Sequence, residues 1–85
     1  MSGTDLSNSF RLGSLSPVET TVVMNVRRYR LAAGLSRREL GLLSGCSSRS
    51  FDYWEHGERC PKVGELGRVA VGLGRPVTDF FVEAQ

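Results

Sequence analysis

The chain has 85 residues, 40% of them apolar, with four Phe, two Tyr and one Trp. This suits one small domain near the lower limit of what folds without metals or disulfides, and it is too apolar for a wholly disordered chain. No apolar run reaches the length of a membrane span and no basic segment precedes an apolar one at the N-terminus, so the reading is a soluble, unexported protein; the net charge of +2 by itself points to no partner.

Residues 1–15, MSGTDLSNSFRLGSL, are rich in Ser and Gly, lack periodicity and carry one cation, Arg11. They are expected to be a disordered tail preceding a single domain over 16–85. SPVE at 16–19 offers Ser as N-cap, Pro at N1 and Glu at N3, so a helix is predicted to start at Pro17. Val22, Val26 and Tyr29 give it one apolar face, and Gly34 is placed to end it.

Ser36 and Glu39 form a second capping box, and Leu40 with Leu43 supplies the inward stripe of a short helix that stops at Ser44-Gly45. After a three-residue turn, Ser47-Ser48 starts a third helix with Phe51 and Trp54 on one face and Gly57 at its end. Pro61 is read as opening a fourth, in which Val63, Leu66, Val69, Ala70 and Leu73 recur at helical spacing. Gly64, Gly67 and Gly72 within it cost about 1 kcal/mol each relative to Ala, so it must lean on tertiary packing. RPVTDFFVEAQ reads as a short fifth helix. No segment alternates as a strand, and the fold class is all-α with four to five helices.

Cys46 and Cys60 form no CxxC and His56 is the only histidine, so a tetrahedral metal site lacks ligands and two reduced thiols are expected. With no paired carboxylates in a glycine-rich frame and no P-loop, no catalytic centre or cofactor is expected either. Charge is uneven along the chain. Between Asn25 and Lys62, eight basic side chains stand against four acidic ones, and ten of the chain's eleven cations are Arg, suited to bidentate contacts with phosphates and guanine edges.

Two short helices joined through a glycine turn must cross steeply, and the close crossing needs a small residue on the first. Gly41 supplies it, Gly45 takes the positive φ of the turn, and Cys46 fills a small apolar position between the helices. On a wheel of about 100° per residue, Phe51, Trp54 and Ser47 fall on one side of the third helix, with Arg49, Asp52, Tyr53 and His56 opposite and Ser48 at the edge of the polar face.

RRYRLAAGLSRRELGLLSGCSSRSFDYWEHG, followed by Pro61, the LGRVAVGLG helix and an FF-containing last turn, resembles the lambda-repressor-like (Cro/XRE-type) helix-turn-helix DNA-binding family over about residues 22–82, with the helix-turn-helix at 37–56. Gly41 stands where that family often has Ala, Phe51 replaces Ile or Val, Leu42 is apolar at a wet position and Asp52 is acidic where a reader is usually neutral. The resemblance implies that the third helix enters the major groove, which assigns Ser48, Arg49, Asp52 and Tyr53 as base-contacting candidates. Arg49 matches guanine O6 and N7. Asp52 can accept from cytosine N4 but reads better as orienting Arg49, three residues away.

Arg37 aligns with the family's phosphate-contacting position, and Arg38, His56, Arg59 and Lys62 would flank the backbone. Arg30 and Glu55 align with a structural ion pair of the family. The function expected is a sequence-specific double-stranded DNA-binding transcription regulator in the cytoplasm, a repressor of phage or mobile-element type, acting as a homodimer on a pseudo-palindromic operator. Leu73, Val77, Phe80, Phe81 and Val82 are the residues offered for the dimer interface. The alternative is an antitoxin or anti-repressor that uses the same fold to hold a protein, for which the modest net charge and Asp52 speak. No membrane or small-molecule partner is expected.

Overall fold

Among the described residues, each of four helices opens on a serine or lysine N-cap. The computed structural model describes residues 15–83, and the elements among them are α1 (Pro17–Ala32), α2 (Arg37–Ser44), α3 (Ser48–Glu55), α4 (Val63–Leu73) and a five-residue 3-10 turn (Val77–Phe81). No strand occurs among the described residues, and the fold is all-α. None of these helices is long and apolar enough to cross a membrane. The expected tail over 1–15 lies, but for Leu15, outside the described residues.

The serine caps form as the sequence dictates. Ser16 Oγ accepts from the Glu19 N–H at 3.2 Å while Glu19 Oε1 accepts from the Ser16 N–H at 2.9 Å. Ser36 and Glu39 repeat the exchange at 3.0 and 2.8 Å, opening α2. Each box satisfies two backbone donors that the first turn would otherwise leave unpaired. Ser47 caps α3 through the Ser50 N–H. The fourth start differs from expectation: Pro61 lies ahead of the helix, Lys62 is the N-cap and Val63 the first helical residue. Lys62 has no acceptor to offer, so only half a box forms, with Glu65 Oε1 accepting the Lys62 N–H at 2.8 Å.

The core is drawn from every element: Val22, Val23, Val26 and Tyr29 of α1, Leu40 of α2, Phe51 and Trp54 of α3, Leu66, Val69 and Ala70 of α4, and Phe80. Burying each large apolar side chain contributes about 1.5–3 kcal/mol. Two edge-to-face aromatic pairs organise it, Phe51 with Trp54 at 4.9 Å and Tyr29 with Phe80 at 5.2 Å.

Two stripe residues face outward against expectation. Leu43 is 58% exposed because α2 buries Leu40, Gly41 and Ser44 instead. Ser44 tolerates that position by donating Oγ–H to the Leu40 carbonyl at 2.7 Å. Val63 is 90% exposed, since α4 buries Leu66, Val69 and Ala70 instead. The segment expected as a fifth helix is the short 3-10 turn. Its carbonyls are taken by α1 side chains: Asn25 Nδ2 donates to Phe80 O and Val82 O, both at 2.8 Å, and the Tyr29 hydroxyl donates to Asp79 O at 3.2 Å. Backbone groups paired in this way need no helical ladder.

Candidate nucleic-acid interface

The turn between α2 and α3 sets the site. Gly45 sits at φ 73°, the left-handed conformation that ends α2, and its N–H donates to Gly41 O at 2.8 Å. A methyl group on Gly41 would lie 2.5 Å from the Cys46 carbonyl oxygen, so the turn folds back more closely than an alanine there permits without a shift. Cys46 packs partly buried against the core, and both it and Cys60 are free thiols. α3 is thereby held across α2 with Phe51 and Trp54 inward.

The opposite side of α3 is the polar one. Ser48 and Arg49 are exposed at its first turn, and Asp52 and Tyr53 are half-buried. Arg49 makes no ion pair or side-chain hydrogen bond among the described residues. Ser47, placed by the wheel with Phe51 and Trp54, is instead the exposed N-cap. Tyr53 packs against the core, and Arg59 lies 4.5 Å over its ring, which fixes the ring at the margin of this face. His56 is the exposed C-cap, its Nδ1 2.7 Å from the Asp52 carbonyl. A carbonyl only accepts, so Nδ1 carries the hydrogen and Nε2 is left outward. Arg38 and Lys62 are exposed, Arg38 on the first turn of α2 and Lys62 at the N-cap of α4.

Glu55 is the electrostatic centre beneath this surface. Its side chain is 1% exposed and accepts from Arg30 Nε at 2.7 Å and Nη2 at 2.8 Å, while Arg30 Nη1 donates to Leu35 O at 2.8 Å. Arg37 Nε adds a bond to Glu55 Oε1 at 3.1 Å, and Arg27 stands at 3.9 Å. Burial pushes the Glu55 carboxyl upward in pKa, but the hydrogen bonds from Arg30 and Arg37 outweigh it and hold it below the ordinary carboxylate range. Arg30 is raised by the same bond. One carboxylate therefore ties α1, α2 and α3 together.

Asp52 has a different partner from the one the sequence suggested. It pairs with Arg37, Nη1 to Oδ1 at 3.2 Å, and not with Arg49. The spacing of three along α3 is outweighed by α2, whose first residue reaches across to α3. Arg37 is accordingly shared between Asp52 and Glu55. Of the residues offered for a dimer interface, Phe80 is corrected to core, fully buried against Tyr29 and so without surface to present. Leu73 is half-buried against the core, whereas Val77, Phe81 and Val82 are 41%, 50% and 58% exposed. Asn25, a polar residue set within the apolar stripe of Val22, Val26 and Tyr29, is a further positioning residue that helical spacing alone does not single out. Its polarity within that stripe is the available signal.

The model of the helix-turn-helix domain family matches residues 24–80, more than half of the chain, with all of α2, the turn and α3 inside the match. The chain belongs to this family. The fold of this helix-turn-helix protein is similar to that of the clp gene regulator ClgR from C. glutamicum, with a TM-score of 0.69 over 78% of this chain and 86% of that one. At 24% identity the likeness is one of fold. No curated protein matches the sequence.

Proposed function

We propose that this helix-turn-helix protein is a sequence-specific double-stranded DNA-binding regulator, with α3 in the major groove. The observation that carries the reading is Arg49: exposed, unpaired among the described residues and projecting from the first turn of α3 on the face opposite Phe51 and Trp54. A guanidinium so placed suits the O6 and N7 edge of guanine. Ser48 neighbours it, and Asp52 and Tyr53 border it, as the further base-contacting candidates. Arg37, Arg38, His56, Arg59 and Lys62 are the candidates for phosphate contact, with positive or hydrogen-bonding groups to offer.

A domain this small covers little of one half-site, which favours a homodimer on a pseudo-palindromic operator; a repressor is the form of regulator proposed. Val77, Phe81 and Val82 offer exposed apolar surface for that contact. The antitoxin or anti-repressor reading rests on the modest net charge and on Asp52; with Asp52 paired to Arg37, only the net charge speaks for it.

Selection of bound duplexes from random DNA with the purified protein tests the reading. A recurrent motif whose half-sites lie about one helical turn apart supports it. Recovery of unenriched sequence, with no binding to any duplex above background, overturns it.

A further inference from the structure

Arg37 stands in two places at once. Its Nε edge is fixed to the buried Glu55 at 3.1 Å, and its Nη1 edge is bonded to Asp52 at 3.2 Å on the side chains' wet side, where Arg37 is 38% and Asp52 51% exposed. The inner bond sets where the guanidinium sits; the outer one neutralises its exposed edge and competes with any other oxyanion for Nη1. Asp52 belongs to the polar face of α3, so its carboxylate and an incoming phosphate would meet the same donor.

Glu55 is already served by both Nε and Nη2 of Arg30, so Arg37 is surplus to its neutralisation. With Arg27, Arg30 and Arg37 against Glu55 and Asp52, the junction keeps one net positive charge. An ion pair as exposed as Arg37 with Asp52 is screened and weak, so exchanging its carboxylate for a phosphate costs little. It still costs something on every duplex, whatever its sequence.

We propose that Asp52 is an electrostatic latch on Arg37, a positioning residue that occupies Nη1 in the free protein and yields it to a phosphate on binding. The latch subtracts from backbone affinity uniformly and so keeps the domain from holding non-cognate DNA. It rests on the DNA-binding reading and extends it, because it gives the unusual acid on the reader helix a task that involves no base. Arg49 remains free of it.

The test compares wild type, Asp52→Asn, Arg37→Gln and the double variant on a scrambled duplex, and on the selected duplex with single base-pair changes, across a salt series, by fluorescence anisotropy. Arg37→Gln keeps a donor toward Glu55 and so preserves the fold, which thermal melting checks. Asp52→Asn is expected to bind about fivefold more tightly at low salt, with the gain shrinking as salt rises. In the Arg37→Gln background the gain should fall to less than half. An unchanged affinity overturns the latch, as does an equal gain in both backgrounds, which would be plain repulsion between carboxylate and DNA. A gain confined to duplexes altered at one base pair overturns it in favour of base reading. Wild-type protein that binds no duplex defeats the DNA-binding reading itself and the latch with it.

Discussion

Glu55 accepts hydrogen bonds from two arginines and has a third within ion-pair distance, though its side chain is almost wholly enclosed. Of the three, only Arg30 is itself buried and supplies two of the bonds, so its loss strands the carboxylate. Arg30→Ala, which leaves the buried carboxylate short of its two best donors, should cost about 3–5 kcal/mol in urea unfolding. The pH dependence has a definite sign. Since the folded Glu55 carboxyl lies below its usual value of 4.5, the unfolded chain binds the extra proton first as pH falls. Its contribution is whole above about pH 4.5 and is lost as pH drops through the folded value. Glu55→Gln should therefore flatten the acid limb of the stability curve, and an unaltered limb would show that other carboxylates govern it. Arg49→Ala has another signature at this scale: fold intact, operator affinity lowered by more than about 1 kcal/mol, and selectivity relaxed at one base pair. Equal weakening on all sequences would make Arg49 a phosphate contact.

The elements were legible where their signals were local. Ser16 with Glu19 and Ser36 with Glu39 opened α1 and α2 as read, because a capping box is complete within four residues. Gly45 likewise marked the end of α2, needing only its own φ. What failed depended on partners distant in the chain. Leu43 turned outward because Leu40, Gly41 and Ser44 make up the face of α2 that is buried. Asp52 paired with a residue fifteen positions away on α2, which no spacing within α3 discloses. The last segment reads as a helix from its own composition, but Asn25 and Tyr29 of α1 claim its carbonyls. Asn25→Ala should loosen that segment in particular: amide exchange over residues 77–83 should quicken and stability fall by about 1–3 kcal/mol, the cost of carbonyls left unpaired. Protection unchanged in that segment would show that Phe80 packing alone retains it.

At the scale of the whole molecule, a net charge of +2 conceals a basic middle, and the structure spends part of that basicity internally. Arg30 is consumed by Glu55, Arg37 is divided between Glu55 and Asp52, and Arg59 lies over Tyr53. Arg38 and Arg49 stay exposed without such partners among the described residues, near the start of α2 and of α3. Binding should therefore be moderate on arbitrary duplex and depend on the correct bases for its strength. If Val77, Phe81 and Val82 form a homodimer contact, Phe81→Asp should shift sedimentation toward monomer and shallow the binding curve while leaving the melting temperature within a few degrees, since the ring is half-exposed. A sedimentation profile identical to wild type would remove Phe81 from the contact.

The most direct measurement is a titration of the wild-type protein with the duplex recovered by selection and with its scrambled counterpart, from about 50 to 200 mM salt. The account predicts that affinity for both falls steeply and linearly on logarithmic axes, with the selected duplex bound at least about a thousandfold more tightly throughout. Indistinguishable affinities for the two duplexes, or binding indifferent to salt, would contradict it.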